Sequence, residues 1–138
     1  MKLNPYLSFV NNCEEAINFY AKCLNGKIES IQRFSEMPGS KPEQKDLVLH
    51  SVVRLGNDCI LFASDSMNAT PSDKANNISL SLDFDSIDEI NNAFAAISEG
   101  GKVTMELQDT FWNARFGMCT DKFGIAWLFN HDLPKKQI

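Results

Sequence analysis

The feature that most constrains this chain is a faint internal repeat. A shift of 75 residues lays Leu7 on Leu82, Phe9 on Phe84, Glu14 on Glu89, Phe19 on Phe94, Gly26 on Gly101 and Lys27 on Lys102. The matches fall within a shared order of elements, which chance identities do not supply, so two copies of one unit are expected. The first copy reads as a strand over 6–10, a helix over 13–24, a strand starting at Gly26-Lys27-Ile28, and strands around 47–55 and 59–64. The second repeats this with a strand over 78–84, a helix near 86–98, a strand starting at Gly101-Lys102-Val103, and strands near 114–120 and 125–129. The expected organisation is one domain, 1–138, with repeats at about 1–65 and 77–131 and a linker at 66–76.

Spacing supports the helices. Cys13, Ile17, Tyr20 and Leu24 form one apolar stripe, and Ile87, Ile90, Phe94 and Ile97 form another, so each helix has a single face to bury. Asn11 or Asn12 is placed to cap the first helix and Asp85 or Ser86 the second, with Glu14, Glu15, Asp88 and Glu89 at the positive ends of the dipoles. Asn25-Gly26 and Gly100-Gly101 end them, because a left-handed residue after the last turn is cheapest in Gly or Asn. In the strands, Ile78, Leu80, Leu82 and Phe84 alternate with Asn77, Ser79, Ser81 and Asp83, and Val103, Met105 and Leu107 with Thr104, Glu106 and Gln108. One sheet face therefore packs on helices and the other is polar, giving an α+β fold of two βαβββ repeats whose polar faces are expected to curl around a cleft. The polar connections 35–46 and 65–76 read as a mobile flap and the linker between repeats.

Composition narrows the function classes. With 138 residues, 43% of them hydrophobic and ten of them Phe, the chain carries too much apolar surface for a disordered segment. No apolar run reaches the roughly 18–20 residues of a membrane-spanning helix. The first residues, MKLNPYLSFVNN, lack the apolar core of a secretory signal, so a cytoplasmic location is expected. A net charge of −5, with no basic block longer than Lys135-Lys136, speaks against nucleic acid as a partner. Cys13, Cys23, Cys59 and Cys119 show no C-x-x-C spacing and read as free thiols.

Two segments carry a family resemblance: Asn4-Pro5-Tyr6-Leu7-Ser8-Phe9 followed by Glu14-Glu15-Ala16-Ile17-Asn18-Phe19-Tyr20, and Gln108-Asp109-Thr110-Phe111-Trp112-Asn113-Ala114-Arg115-Phe116-Gly117 followed by Thr120-Asp121-Lys122-Phe123-Gly124-Ile125-Ala126-Trp127. They resemble the PhnB-like branch of the vicinal oxygen chelate superfamily, which includes glyoxalase I, extradiol dioxygenases and bleomycin- or fosfomycin-resistance proteins. The resemblance covers nearly the whole chain and implies a cup-shaped mixed sheet of glyoxalase/bleomycin-resistance type, a homodimer, and a small-molecule ligand. The branch usually has Gly at the position of Asn113 and Pro at that of Lys122.

The resemblance also implies a divalent metal held by His and Glu from the first and last strands of each repeat. The corresponding positions here offer Asn4 or Pro5, Asn77 or Ser79, Ile60, Phe62 or Ser64, and Ala126, Leu128 or Asn130. None is an imidazole or carboxylate, and neutral amides and hydroxyls bind such ions weakly. The expected state is therefore no metal site and no cofactor, the rival being a metal-dependent enzyme with an atypical set such as His50 and Glu106.

The candidate residues each carry two readings. His50 lies in the strand around 47–55, two residues from Val48 and from Val52, and either faces the cleft as an acid, base or donor, or is a partly buried sheet histidine. Glu106 is either a general base desolvated in the cup or a solvated carboxylate. His131 is expected in a solvent-exposed tail after the last strand. Trp112 and Arg115 either wall a pocket and grip a carboxylate or phosphonate, or make dimer contacts. Tyr6 and Ser79, from the opening strands of the two repeats, complete the expected ligand-binding set. Trp127, in phase with Ile125 and Phe129 along its strand, is expected in the core. No Gly-rich phosphate loop, nucleophile elbow or Cys/His nucleophile pair is present. Phosphonate metabolism and ubiquinone-type methyl transfer are attached to the branch by name, but no residue pattern here supports either chemistry.

Overall fold

In helix α1 (Cys13–Cys23) the buried residues Cys13, Ala16, Ile17 and Tyr20 follow the helical period, as do Ile90, Ala93, Phe94 and Ile97 in α2 (Ile87–Ser98). Each stripe packs on a sheet of its own unit. The computed structural model describes residues 1–66 and 77–135, and the chain divides into two compact units, Met1–Pro71 and Ser72–Ile138. The expected linker at 66–76 lies, apart from Ser66, outside the described residues.

The first unit contains β1 (Tyr6–Phe9), α1, β2 (Lys27–Arg33), β3 (Val48–Arg54) and β4 (Ile60–Asp65). Its sheet runs β1-β4-β3-β2, with β1 parallel to β4 and the other pairs antiparallel. The second unit repeats the plan with β5 (Leu80–Asp83), α2, β6 (Lys102–Asp109), β7 (Ala114–Thr120) and β8 (Ala126–Asp132), in the order β5-β8-β7-β6 with β5 parallel to β8. The fold is thus α+β, two βαβββ repeats each building a four-stranded mixed sheet. The parallel pairing of first and last strands follows from the helix crossover between β1 and β2, which leaves β1 free to take β4 as its neighbour.

Element ends show where local chemistry prevailed and where distant residues did. Ser86 caps α2, its hydroxyl accepting from the Glu89 N–H at 3.1 Å. The expectation for α1 is corrected: Asn12 makes no side-chain cap, and the Cys13 N–H is taken instead by Asp65 of β4 at 3.0 Å. Asn25 (φ 52) and Gly100 (φ 76) end the helices in the left-handed region. The segment 35–46 is tied down at both ends: Phe34 and Ser35 donate to Leu47 O and Lys45 O, Phe34 is buried, and short 3-10 turns occupy Phe34–Glu36 and Pro42–Gln44. The edge strands β2 and β6 each carry two register irregularities, a common way for an edge to twist away from further pairing.

Candidate functional site

Burial alternates along the inner strands and assigns each sheet two faces. In β4, Leu61, Ala63 and Asp65 are buried on the side of α1, so Ile60, Phe62 and Ser64 lie on the helix-free face. The pairing register adds Tyr6 beside Phe62 from β1, Val52 from β3 and Ser30 from β2. His50, two residues from Val52, shares this face and pairs with Gln32. The Tyr6 hydroxyl lies 2.9 Å from His50 Nδ1. Phe62 sits against both rings, with centroids 5.8 Å from Tyr6 and 5.2 Å from His50, and Tyr6 and His50 are 5.6 Å apart. Tyr6 is about half exposed, at 49%. Two of the expected site residues are therefore brought into direct contact.

The helix side of the same sheet is structural. Asp65, 4% exposed, accepts from the Cys13 and Val48 N–H groups at 3.0 and 2.9 Å, and Ser51 donates to Ala63 O at 2.7 Å. Burial, with the Asp65 carboxylate nearby, pushes the Cys13 thiol up to about 12, and burial beside Asp121 pushes Cys119 up to about 11, so both stay protonated and unreactive near neutrality.

In the second unit Trp127 and Phe129 are buried towards α2, where Phe94 meets Phe129 edge-on at 5.2 Å. Trp127 is thus a core residue, as expected, and its indole N–H donates to the buried Asp121 at 2.8 Å. The opposite face carries Ser81, Leu128, Asn130, Phe116 and Met118. Trp112 packs on Phe116 (5.7 Å) and Phe111 (4.9 Å), itself half exposed, while Phe111 is almost fully so. Arg115 points the other way: its Nε donates to Asn91 of α2 at 3.0 Å and its guanidinium pairs with Asp109 at 3.2 Å. Trp112 and Arg115 are therefore not brought together. Ser79 is exposed just before β5, and Glu106 is exposed on the irregular edge strand β6. The expectation for His131 is corrected: β8 extends to Asp132 through pairing with β7, and His131 is half-buried with Nδ1 2.7 Å from Phe84 O.

Both departures from the branch pattern have a geometric basis. Asn113 has φ 64, the region that glycine favours and asparagine tolerates, and its amide donates to Leu133 O and Pro134 O. Lys122 occupies the second position of a turn closed by Gly124 N to Asp121 O, where proline is favoured but not required.

Whether the residues fit the family's divalent metal is decided by the donor set. On the helix-free faces the strands in question present Tyr6 and Ser8, Ile60, Phe62 and Ser64, Ser81 and Asp83, and Ala126, Leu128 and Asn130. Asp83 is bridged to Asp132 by the Asn130 amide, and both carboxylates are exposed. Among the described residues no group of three or more His, Cys, Asp or Glu stands close enough to hold an ion. The residues do not fit such a site.

The sequence offers Phe62 only as a position without a metal donor, not as the ring that completes the aromatic cluster, and it leaves out the buried carboxylates Asp65 and Asp121. The signal for Asp65 was its parity: it falls in register with Leu61 and Ala63, the residues that face the helix.

Known proteins agree with this architecture. The family described as Glyoxalase/Bleomycin resistance protein/Dioxygenase superfamily matches residues 2–129. The chain is 35% identical to Protein YjdN of Escherichia coli (strain K12), covering 94% of this chain and 95% of that one. The crystal structure of protein PA1353 from Pseudomonas aeruginosa superposes with a TM-score of 0.86 at 39% identity, over 97% of this chain and 99% of that one. The PhnB protein from Bacillus cereus gives 0.77 at 27% identity, over 95% and 99%. Matching over nearly its full length in both sequence and fold, the chain belongs to the PhnB-like branch of the Glyoxalase/Bleomycin resistance protein/Dioxygenase superfamily.

Proposed function

We propose that this protein binds a small molecule on a helix-free sheet face without the divalent metal used by catalytic members of the superfamily, as a cytoplasmic homodimer. The observation that carries the reading is the donor set: β1 and β4 of the first unit and β5 and β8 of the second present aromatic, aliphatic, hydroxyl and amide side chains on the helix-free face of their own sheets, with Asp83 and Asp132 exposed beside Asn130. Binding needs only an apolar floor with a few directed polar groups, which Tyr6, His50 and Phe62 offer. Four free cysteines suit a reducing compartment. No helix among the described residues is long and apolar enough to cross a membrane.

The test is metal content and ligand response of the purified protein. After dialysis, Zn, Mn, Fe and Ni are expected well below one per chain, and EDTA is expected to leave both the melting temperature and its rise with a metabolite unchanged. Stoichiometric metal that is lost on His50→Ala or Glu106→Ala would support instead a glyoxalase- or dioxygenase-type enzyme with atypical ligands, and sink this reading. Light scattering checks the dimer, a single monomeric mass being the contrary result.

A further inference from the structure

We propose that Tyr6, His50 and Phe62 form a recognition platform for a planar aromatic molecule carrying a carbonyl or carboxylate oxygen, the rings stacking on the aromatic cluster and the oxygen accepting from His50 Nε2. The proposal rests on the metal-free binding reading above and gives the ligand a chemical class.

The hydrogen bond between Tyr6 and His50 sets the chemistry of the platform. A phenol is the stronger donor of the pair and a neutral imidazole nitrogen the better acceptor, so the 2.9 Å contact is assigned as Tyr6 O–H to His50 Nδ1. That assignment puts the imidazole proton on Nε2, the nitrogen with no partner among the described residues. The ring is held as a fixed N–H donor beside two aromatic side chains. The rings are tilted by 40–55° to one another and not stacked face to face, and Tyr6 is about half exposed. Hydroxyl and amide groups on the same face, Ser8, Ser64 and Gln32, complete a polar border.

The second repeat serves as an internal control. Its strand register places Ser81, Phe116 and Leu128 where the first unit has Tyr6, His50 and Phe62. The same topology is built there without a phenol, an imidazole or the bond between them. On the helix side the opening strands keep Leu7 with Leu82 and Phe9 with Phe84, while the closing strands differ, Leu61 and Ala63 corresponding to Trp127 and Phe129. Strand pairing of this topology therefore does not depend on a Tyr–His bond, since the second unit forms the same sheet without one.

The experiment is an NMR titration of the 15N-labelled full chain with 2-naphthoate, alongside cyclohexanecarboxylate as a carboxylate without an aromatic face. Saturable shifts are expected to concentrate on β1, β3 and β4 around the three residues, with cyclohexanecarboxylate binding far more weakly. His50→Phe keeps a ring but removes the donor and is expected to weaken 2-naphthoate about tenfold; Tyr6→Phe frees the tautomer and weakens it about threefold. Amide spectra of the unliganded variants verify their fold, and His50→Phe recreates the residue type already tolerated at Phe116. Shifts elsewhere, equal affinity in wild type and His50→Phe, equal binding of the two acids, or no saturable shift in the millimolar range would each overturn the platform. A metabolite that stabilises the metal-free protein but maps outside these strands overturns the platform alone. A stoichiometric metal with 2-naphthoate still on these strands overturns only the metal-free reading.

Discussion

Glu14 and Arg33 meet in a two-pronged pair, Arg33 Nη1 and Nη2 donating to the two carboxylate oxygens at 3.1 and 2.7 Å. Both side chains are more than a third exposed, at 45% and 35%, so water screens most of what the charges offer. The hydrogen bonds from Arg33 nevertheless hold the Glu14 carboxyl below its ordinary 4.5. The unfolded chain therefore takes up this proton before the folded one as pH falls. The stabilisation is complete above the unfolded value and is lost progressively as pH drops through the lowered folded value. Glu14→Gln is expected to cost about 0.5 kcal/mol at pH 7, with the gap to wild type closing below pH 4.5 when urea unfolding is followed across that range. A gap that stays constant down to pH 2 would mean that the effect is packing and not charge. The two residues lie on α1 and at the end of β2, a proximity that neither local pattern contains.

Gly26 and Gly101 coincide under the 75-residue shift, and the reason lies at the level of the element. Neither has a positive φ; Asn25 and Gly100 before them do. What the second glycine supplies is room: a Cβ on Gly101 would stand 2.3 Å from Thr120 O and 2.9 Å from the Asp121 backbone, and one on Gly26 would stand 2.6 Å from Arg54 O. Each strand leaving a helix thus passes against the end of its antiparallel neighbour at backbone distance. Gly101→Ala is expected to destabilise by about 1–3 kcal/mol, read as a lower denaturation midpoint with unchanged slope; a loss below about 0.3 kcal/mol would show that the neighbouring turn yields freely. Helices, strands and these chain reversals were legible in the sequence because period and turn chemistry are local. Three things were not. The cap on α1 comes from Asp65 of β4, β8 runs on to Asp132 because β7 supplies a partner, and Tyr6 reaches His50 only through a register that alternation cannot specify. Alternation left His50 open between the cleft face and a partly buried place in the sheet, and it offered no means of seeing Arg115 turn towards Asn91 of α2 while Trp112 packed on Phe116.

Across the whole molecule, the two copies keep one topology and strand register while residues on both sheet faces differ: Leu61 and Ala63 correspond to Trp127 and Phe129 on the helix side, and Tyr6, His50 and Phe62 to Ser81, Phe116 and Leu128 on the open side. If the open face is free of folding duty, the Tyr–His pair is transferable. Ser81→Tyr with Phe116→His and Leu128→Phe would rebuild the platform in the second unit, at positions whose registers match those of the first. None of the three residues is fully buried, so the combined cost is expected to stay within about 1–2 kcal/mol, most of it from the lost contact between Phe116 and Trp112. The triple variant is expected to fold, to show a second imidazole with its Nδ1 bonded to a phenol by 15N NMR, and to bind a second equivalent of 2-naphthoate. A folded variant that holds only one equivalent would mean that the Tyr6–His50–Phe62 geometry draws on something beyond the strand register. A variant that fails to fold would mean that the open face of the second unit bears load, and that the divergence between the copies is itself structural.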